Sequence, residues 1–295
     1  MNVCIIGTGY VGLTTGACLA YLGHSVNCLD ADQRKIAMLQ AGESPIYEPN
    51  LTDLLAEASS NLAFTTNYAE AVPKAEVIFI AVGTPPSPDG SPDLKYLCAA
   101  ATGIGQHFQG DFAVVVNKST VPIGSGNWVG SLVRESYESN HGGRRAENRF
   151  SVASNPEFLR EGTALHDTLY PDRVVVGADE QRSLEVLYSL YRPILDQTFT
   201  APTYLPRPEG LGAVPLISTD LASAELIKYA ANAFLATKIS FINEIGLLGE
   251  KVGADIMQVA KGIGLDGRIG TRFLQAGLGE RRKSVMPKPT YIVFI

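Results

Sequence analysis

The sequence predicts an α/β fold: a doubly wound, mainly parallel sheet followed by a long connecting helix. Three observations predict it. Short apolar runs alternate with helical patterns, a glycine turn follows the first run, and a proline-free stretch of helix formers starts at Asp220. In order, Val3–Ile6 reads as a strand, Tyr10–Leu22 as a helix of small and apolar residues, and Val26–Leu29 as the next strand. Leu62–Thr65 is a short strand and Val77–Val82 a strongly apolar one. Lys95–Phe108 is helical, and Phe112–Val116, Phe150–Ala153 and Val174–Val176 continue the series. Apolar strands without polar alternation fit a sheet covered by helices on both faces. Asn140–Arg149 is a polar surface loop, and Thr203–Leu216, rich in proline and glycine, is a connector. Ser218, Thr219 and Asp220 are N-cap candidates for the helix that runs to Val252. At 1.5 Å per residue it is roughly 45–50 Å long, which suits a helix that connects domains or packs on a second subunit.

Composition narrows the function. The chain has 295 residues, is 45% apolar and 18% charged, and carries a net charge of −6. That disfavours non-specific nucleic-acid binding. The start, Met1-Asn2-Val3-Cys4-Ile5-Ile6-Gly7, has no basic n-region or long apolar core of a signal peptide, and no apolar run reaches transmembrane length. The four cysteines, Cys4, Cys18, Cys28 and Cys98, form neither a C-x-x-C pair nor a metal-ligand pattern. Buried reduced thiols in a cytoplasmic protein are the expectation, with no metal and no membrane.

Gly7-Thr8-Gly9-Tyr10-Val11-Gly12 fits G-x-G-x-x-G directly after a strand and at the start of a helix. Gly7 permits the tight turn, Gly9 lets a pyrophosphate approach the backbone, and Gly12 lets helix and strand pack closely. The free N–H groups of the helix N-terminus face the phosphates. Asp30 ends the second strand 18 residues after Gly12, where a carboxylate accepts bonds from the adenosine ribose hydroxyls. The unit is Rossmann-like. Asp30 and Asp32 together repel a 2′-phosphate, so NAD is favoured over NADP. Lys35 reaches the same ribose or a phosphate, or is a solvated helix residue.

Three polar segments end successive strands. They are Ala81-Val82-Gly83-Thr84-Pro85-Pro86, Lys118-Ser119-Thr120-Val121-Pro122, and Ser154-Asn155-Pro156-Glu157-Phe158-Leu159-Arg160-Glu161-Gly162. In a doubly wound sheet such positions share one ligand crevice. Glu157 and Glu161 are four apart across a loop-to-helix junction, so either carboxylate also suits a helix start. Within the long helix, Lys228 and Asn232 share a face in an apolar stretch. A lysine there needs a partner for its charge, such as an anionic substrate or a reacting oxyanion, or it snorkels to solvent.

Taken together, these segments resemble the nucleotide-sugar dehydrogenases, and within them the UDP-glucose 6-dehydrogenases. The resemblance also rests on Pro45-Ile46-Tyr47-Glu48-Pro49, Pro171-Asp172-Arg173, Glu225–Asn232, Gly264-Leu265-Asp266-Gly267-Arg268-Ile269-Gly270 and Phe273–Gly277. It covers nearly all of residues 1–279. It implies oxidation of the C6 alcohol of UDP-glucose, or a related nucleotide sugar, to the acid, with two NAD consumed. A cysteine captures the intermediate aldehyde, and water hydrolyses the thioester. By the same resemblance Gly7, Gly9, Tyr10, Val11, Gly12, Asp30, Lys35, Thr84 and Thr120 hold NAD, with Glu161 near the nicotinamide. Thr120 and Glu157 position or activate the catalytic water. Lys228 stabilises the alkoxide and the tetrahedral oxyanion, and Asn232 holds a neighbouring oxygen or water. Phe158, Leu159, Arg160 and Glu161 touch the sugar nucleotide largely through backbone. Arg268 belongs to the segment that favours UDP-glucose enzymes, and Phe273, Leu274, Gln275, Ala276 and Gly277 form the loop under the substrate. A homodimer through the long helix is implied too.

The resemblance stops after Gly279. The family continues into a loop that carries the nucleophilic cysteine; here Glu280–Pro289 and the apolar Tyr291–Ile295 follow. The expected organisation is an NAD-binding domain at 1–203, a central long-helix domain at 204–279, and a divergent tail at 280–295 with the third domain absent. A truncated or frame-altered product of such a gene is the expectation. The alternatives are a non-catalytic NAD-binding fragment or assembly subunit, and a dehydrogenase of GDP-mannose or a UDP-N-acetylhexosamine. None of His24, His107, His141 and His166 sits in a motif suited to a catalytic base, which disfavours a 2-hydroxy-acid dehydrogenase.

Overall fold

The computed structural model describes residues 1–276 apart from Gly90. The opening strand β1 (Asn2–Ile6) leads through the glycine turn into α1 (Tyr10–Tyr21) and β2 (Ser25–Leu29). α2 (Gln33–Gln40), α3 (Leu51–Glu57), β3 (Leu62–Thr65), α4 (Tyr68–Ala71) and β4 (Val77–Ile80) complete the first half. The second half runs α5 (Lys95–His107), β5 (Ala113–Asn117), α6 (Ser125–Asn140), β6 (Phe150–Ser154), α7 (Ala164–Leu169), β7 (Val174–Ala178), α8 (Gln181–Leu195) and β8 (Leu216–Thr219). Then come α9 (Leu221–Val252) and α10 (Ile256–Gly264).

Among the described residues the strands form one eight-stranded sheet in the order β3-β2-β1-β4-β5-β6-β7-β8. Every pair is parallel except β6 with β7. The doubly wound, mainly parallel prediction holds. Strand order reverses between β1 and β4, and ligands in such sheets bind outside the strand ends at that point.

The period of two along each strand explains the apolar runs. Val3, Ile5, Val77, Phe79, Val114 and Val116 pack on one face with Leu19 of α1 and Leu187 and Leu190 of α8. Cys4, Ile6, Ile78, Ile80 and Val115 face the other way, onto Leu97 and Ile104 of α5 and Val129 and Val133 of α6. With both faces covered, no polar alternation survives. A third cluster joins Leu13 and Cys18 of α1 to Leu51 and Leu54 of α3 and to Leu165 and Leu169 of α7.

Two local expectations are corrected. The connector leads into a strand and not directly into the helix, because Leu216–Thr219 pairs in parallel with β7 as an edge strand. Ser218 and Thr219 therefore lie in β8 and cap nothing. Asp220 is the cap: its Oδ1 accepts from the Ser223 N–H at 2.8 Å and its Oδ2 from the Ser223 hydroxyl at 2.7 Å. Gly177 of β7 sits under this start, since a Cβ there would lie 2.6 Å from the Asp220 carbonyl oxygen. The chain divides into two compact units inside α9, Met1–Leu226 and the part from Ile227 onward.

Candidate functional site

The glycine turn is built by three different constraints. Gly7 has φ +103°, and a Cβ on it would meet the Ala81 carbonyl oxygen at 2.5 Å. The turn thus presses against the end of β4, at the point where strand order reverses. A Cβ on Gly12 would lie 1.8 Å from the Gly7 carbonyl oxygen, so α1 can approach β1 only with glycine there. Gly9 differs: a Cβ would meet nothing within 4 Å. No protein atom demands glycine at position 9. Open space lies above its backbone.

Asp30 closes β2 beside this turn. Its Oδ2 accepts from the Thr8 N–H at 2.7 Å and the Thr8 hydroxyl at 2.8 Å, and its Oδ1 from the Asp32 N–H at 2.9 Å. Burial pushes the Asp30 carboxyl up, but the N–H donors of Asp32 and Thr8, the Thr8 hydroxyl and Lys35 outweigh it and hold the group below the usual carboxylate range. Lys35 Nζ lies 3.8 Å from Asp30 Oδ2. Asp30 is therefore a fixed anion with lone pairs left over for hydroxyl donors. Asp32 has a second task that its spacing did not reveal. It caps α2, accepting from the Arg34 N–H at 2.9 Å.

The ends of β4, β5 and β6 meet as expected. The Thr84 hydroxyl donates to the Thr120 carbonyl at 2.9 Å, and the Ser119 hydroxyl to the Val82 carbonyl at 2.8 Å. The Asn155 N–H donates to the Asn117 carbonyl at 3.0 Å. Behind them lies a hub that the motifs did not reveal. Asn155 Oδ1 accepts from buried Lys118 Nζ at 2.8 Å and from the Tyr191 hydroxyl at 2.6 Å, while its Nδ2 donates to the Val175 carbonyl at 2.7 Å. Tyr191 comes from α8, far along the chain, so no local spacing marks it.

The segment after β6 is not helical; α7 begins only at Ala164. Glu157 and Glu161 therefore share no helix face. The Glu157 carboxylate accepts from the Leu159 N–H at 2.8 Å. Arg160 forks onto Asp167, with Nε–Oδ2 at 2.9 Å and Nη2–Oδ1 at 2.6 Å, and its backbone N–H donates to the same Oδ2 at 3.0 Å. The Arg173 guanidinium stacks 3.9 Å over the Phe158 ring. At its far end Gly162 N–H donates to the Tyr10 hydroxyl at 2.6 Å and to Glu48 Oε2 at 2.8 Å.

Two carboxylates here make acid stability testable. Both Asp30 and Asp167 gain from burial a push upward that is overcome, at Asp167 chiefly by Arg160. A carboxyl held low in the folded state contributes stability above its unfolded value of 3.8, and loses it as pH falls through the lower folded value. The melting temperature is expected to drop between about pH 5 and pH 3. In Asp167→Asn the drop shrinks, and stability at neutral pH falls by about 1–3 kcal/mol because the Arg160 fork is lost. An unchanged acid profile in differential scanning calorimetry contradicts this.

Elsewhere in the first unit, Glu225 anchors the start of α9. Its oxygens accept from the Gly124 N–H at 2.7 Å and the Gly126 N–H at 3.1 Å, at the head of α6. Burial pushes its carboxyl up despite these donors. In the second unit, Lys228 is buried and Asn232 is exposed. Arg268 is paired to Asp266 in a fork, with Nη2–Oδ2 at 2.6 Å. Phe273 has φ +65°, and buried Leu274 packs 3.5 Å from the Cβ position of Gly264. Gly277 and the segment 280–295 lie outside the described residues.

The cysteines are all free, and Cys4, Cys18 and Cys28 are buried. Burial raises all three thiols, that of Cys28 to about 12. None of the three is an accessible thiolate. His24 is buried on the Leu190 carbonyl, and His107 and His141 bond the Gly103 and Tyr137 carbonyls of their own helices.

A glycine turn at the switch point of a doubly wound sheet, with a fixed carboxylate at the end of β2 and polar segments at three further strand ends, defines a dinucleotide-binding domain. Comparison with known proteins places it further. Residues 1–195 match the UDP-glucose/GDP-mannose dehydrogenase family, NAD binding domain, and residues 222–287 match the central domain of the same family. The chain belongs to this family. It is 46% identical over 280 residues to the UDP-glucose 6-dehydrogenase TuaD of Bacillus subtilis, which covers 94% of this chain and 55% of that protein. It is 48% identical to the UDP-glucose 6-dehydrogenase of Rhizobium meliloti, over 98% of this chain and 62% of that one. A UDP-glucose dehydrogenase structure from Pyrobaculum islandicum superposes with a TM-score of 0.82 at 41% identity, covering 93% of this chain and 59% of that one. The chain thus spans somewhat over half the length of these relatives.

Proposed function

We propose that this chain carries the NAD site and part of the sugar site of a UDP-glucose 6-dehydrogenase, and that by itself it does not complete the oxidation to UDP-glucuronate. The observation that carries the first half is the clear approach over Gly9 beside the ionised Asp30. The second half rests on the cysteines: none follows Cys98, and three of the four are buried. NAD supplies the hydride acceptor for each two-electron step.

The residues of the chain do the rest in this reading. Gly7, Gly9, Tyr10, Val11 and Gly12 present backbone to the pyrophosphate; Asp30 and Lys35 take the ribose. Thr84 and Thr120, tied to one another, border the nicotinamide half together with Glu161. Phe158, Leu159 and Arg160 offer backbone to the sugar nucleotide, with Arg268 and the loop Phe273, Leu274, Gln275 and Ala276 completing the substrate side. Lys228 balances the negative charge that develops on the sugar oxygen as its proton leaves, and Asn232 holds a neighbouring oxygen or a water. Thr120 and Glu157 position a water for hydrolysis. That hydrolysis requires a thioester, and no cysteine follows Cys98 to form one where the family's cysteine loop would stand.

The exposed apolar side chains Phe234, Phe241, Leu247 and Leu248 of α9 support pairing of two copies along that helix. Free, buried thiols suit the cytoplasm, and among the described residues no helix is long and apolar enough to cross a membrane.

The test is incubation of the purified chain with UDP-glucose and NAD. Saturable dinucleotide binding without continuing formation of UDP-glucuronate is expected. Sustained turnover to UDP-glucuronate contradicts the reading of the missing thiol, and absence of dinucleotide binding contradicts the reading of the site.

A further inference from the structure

The segment Pro45-Ile46-Tyr47-Glu48-Pro49 has no part in the chemistry above, yet it places a carboxylate at the centre of the site's scaffold. Tyr47 is 88% exposed and its neighbour Glu48 only 6%. Glu48 is met by four donors from two distant parts of the chain. Its Oε2 accepts from the Tyr10 hydroxyl and, at 2.8 Å, from the Gly162 N–H. Its Oε1 accepts from the Ala164 N–H at 2.7 Å and the Leu165 N–H at 3.5 Å. Tyr10 itself accepts from the Gly162 N–H at 2.6 Å.

These partners have distinct duties. Tyr10 is the first residue of α1, directly after Gly9, where the backbone faces the pyrophosphate. Gly162 follows Glu161, on the nicotinamide side of the crevice. A dinucleotide spans both, so its affinity depends on their separation being fixed before it binds.

We infer that Glu48 is a positioning residue that locks the glycine turn of α1 to the Phe158–Gly162 segment and so presets the site for the dinucleotide. This rests on the NAD-site reading above. The chemistry requires a carboxylate. All four donors need an acceptor, and glutamine would replace one acceptor oxygen with an NH₂ that faces N–H or O–H groups. Burial, together with the bond to Glu48, holds the Tyr10 phenol in its protonated, donating form.

The test is NADH fluorescence titration of the full chain and its variants, at a temperature where each is folded by calorimetry. Glu48→Gln is expected to raise the NADH dissociation constant about tenfold or more. Tyr10→Phe removes one donor and is expected to raise it about threefold to fivefold. The double variant is expected to be little worse than Glu48→Gln, because both changes break one link. Glu48→Asp, which keeps the charge, is expected to recover part of the affinity. If Glu48→Gln does not fold, Tyr10→Phe and Glu48→Asp carry the test. A lower melting temperature with unchanged NADH affinity in the folded variants overturns the inference, since a purely structural carboxylate gives that result. If the unmodified chain binds no NADH, the site reading fails, and this inference fails with it.

Discussion

Replacing Gly12 with alanine destabilises the whole first unit, whereas replacing Gly9 with alanine leaves the fold intact and weakens dinucleotide binding alone. The two glycines are three residues apart in one motif, and their environments are opposite. The Gly12 Cβ would lie 1.8 Å from a backbone oxygen that cannot rotate away, because Gly7 is pinned by its bond to the Leu29 carbonyl at 2.7 Å and by its contact with Ala81. Relief requires α1 to move off β1, which opens the packing of Leu13 and Ala17. The expected cost is about 3 kcal/mol or more, the range of overpacking against backbone. Gly9 has φ −73° and ψ −169°, a conformation alanine adopts freely, and its Cβ meets no protein atom. The melting temperature of Gly9→Ala should match that of the unmodified chain. The NADH dissociation constant should rise at least about tenfold, because the methyl group stands where the proposed site receives the pyrophosphate. Calorimetry and titration of the same two preparations check both statements. Equal losses of stability in the two variants contradict them.

Asp30→Ala is expected to damage both properties at once. The carboxylate satisfies the Thr8 N–H, and Thr8 is fully buried. A donor left without an acceptor there costs about 1–3 kcal/mol. In the proposed site the same change removes the acceptor for the adenosine ribose, so NADH affinity is expected to fall about tenfold or more. It also removes the charge that repels a 2′-phosphate, so the preference for NADH over NADPH narrows even as both bind weakly. Asp32 keeps its charge while it caps α2, so part of that repulsion remains. A variant that keeps the full preference assigns the discrimination to another residue.

How much of this was legible in the sequence depends on the range of the interactions involved. The sheet was legible because each buried strand is a short run of apolar residues, and β3, at Leu62–Thr65, matches its predicted bounds. The glycine turn was legible because backbone conformation and close packing act within a few residues. α8 escaped notice although Leu187, Leu190, Tyr191, Ile194 and Leu195 follow a helical period, because Pro193 inside it reads as a break. It lies in the last turn, so it forfeits the single bond to the Ser189 carbonyl and leaves the preceding turns intact. β8 is four residues long and its Ser218 and Thr219 read as helix caps, and the antiparallel pairing of β6 with β7 has no local signal. Asp30 stood at a fixed distance from the motif, and its bonds to Thr8 place it beside the glycine turn. Glu48, Asn155 and Tyr191 act through partners far away in sequence, and Glu48 bonds to Gly162, 114 residues on. Such contacts leave no spacing to read.

The account stands on residues 7–12 and Asp30 forming a site for NAD. Calorimetric titration of the unmodified chain with NADH and, separately, NADPH tests it most directly. The account predicts saturable binding of one NADH per chain and at least about 100-fold weaker binding of NADPH, the discrimination that a fixed carboxylate imposes on a 2′-phosphate. Equal affinity for the two dinucleotides, or no saturable binding of NADH, contradicts it.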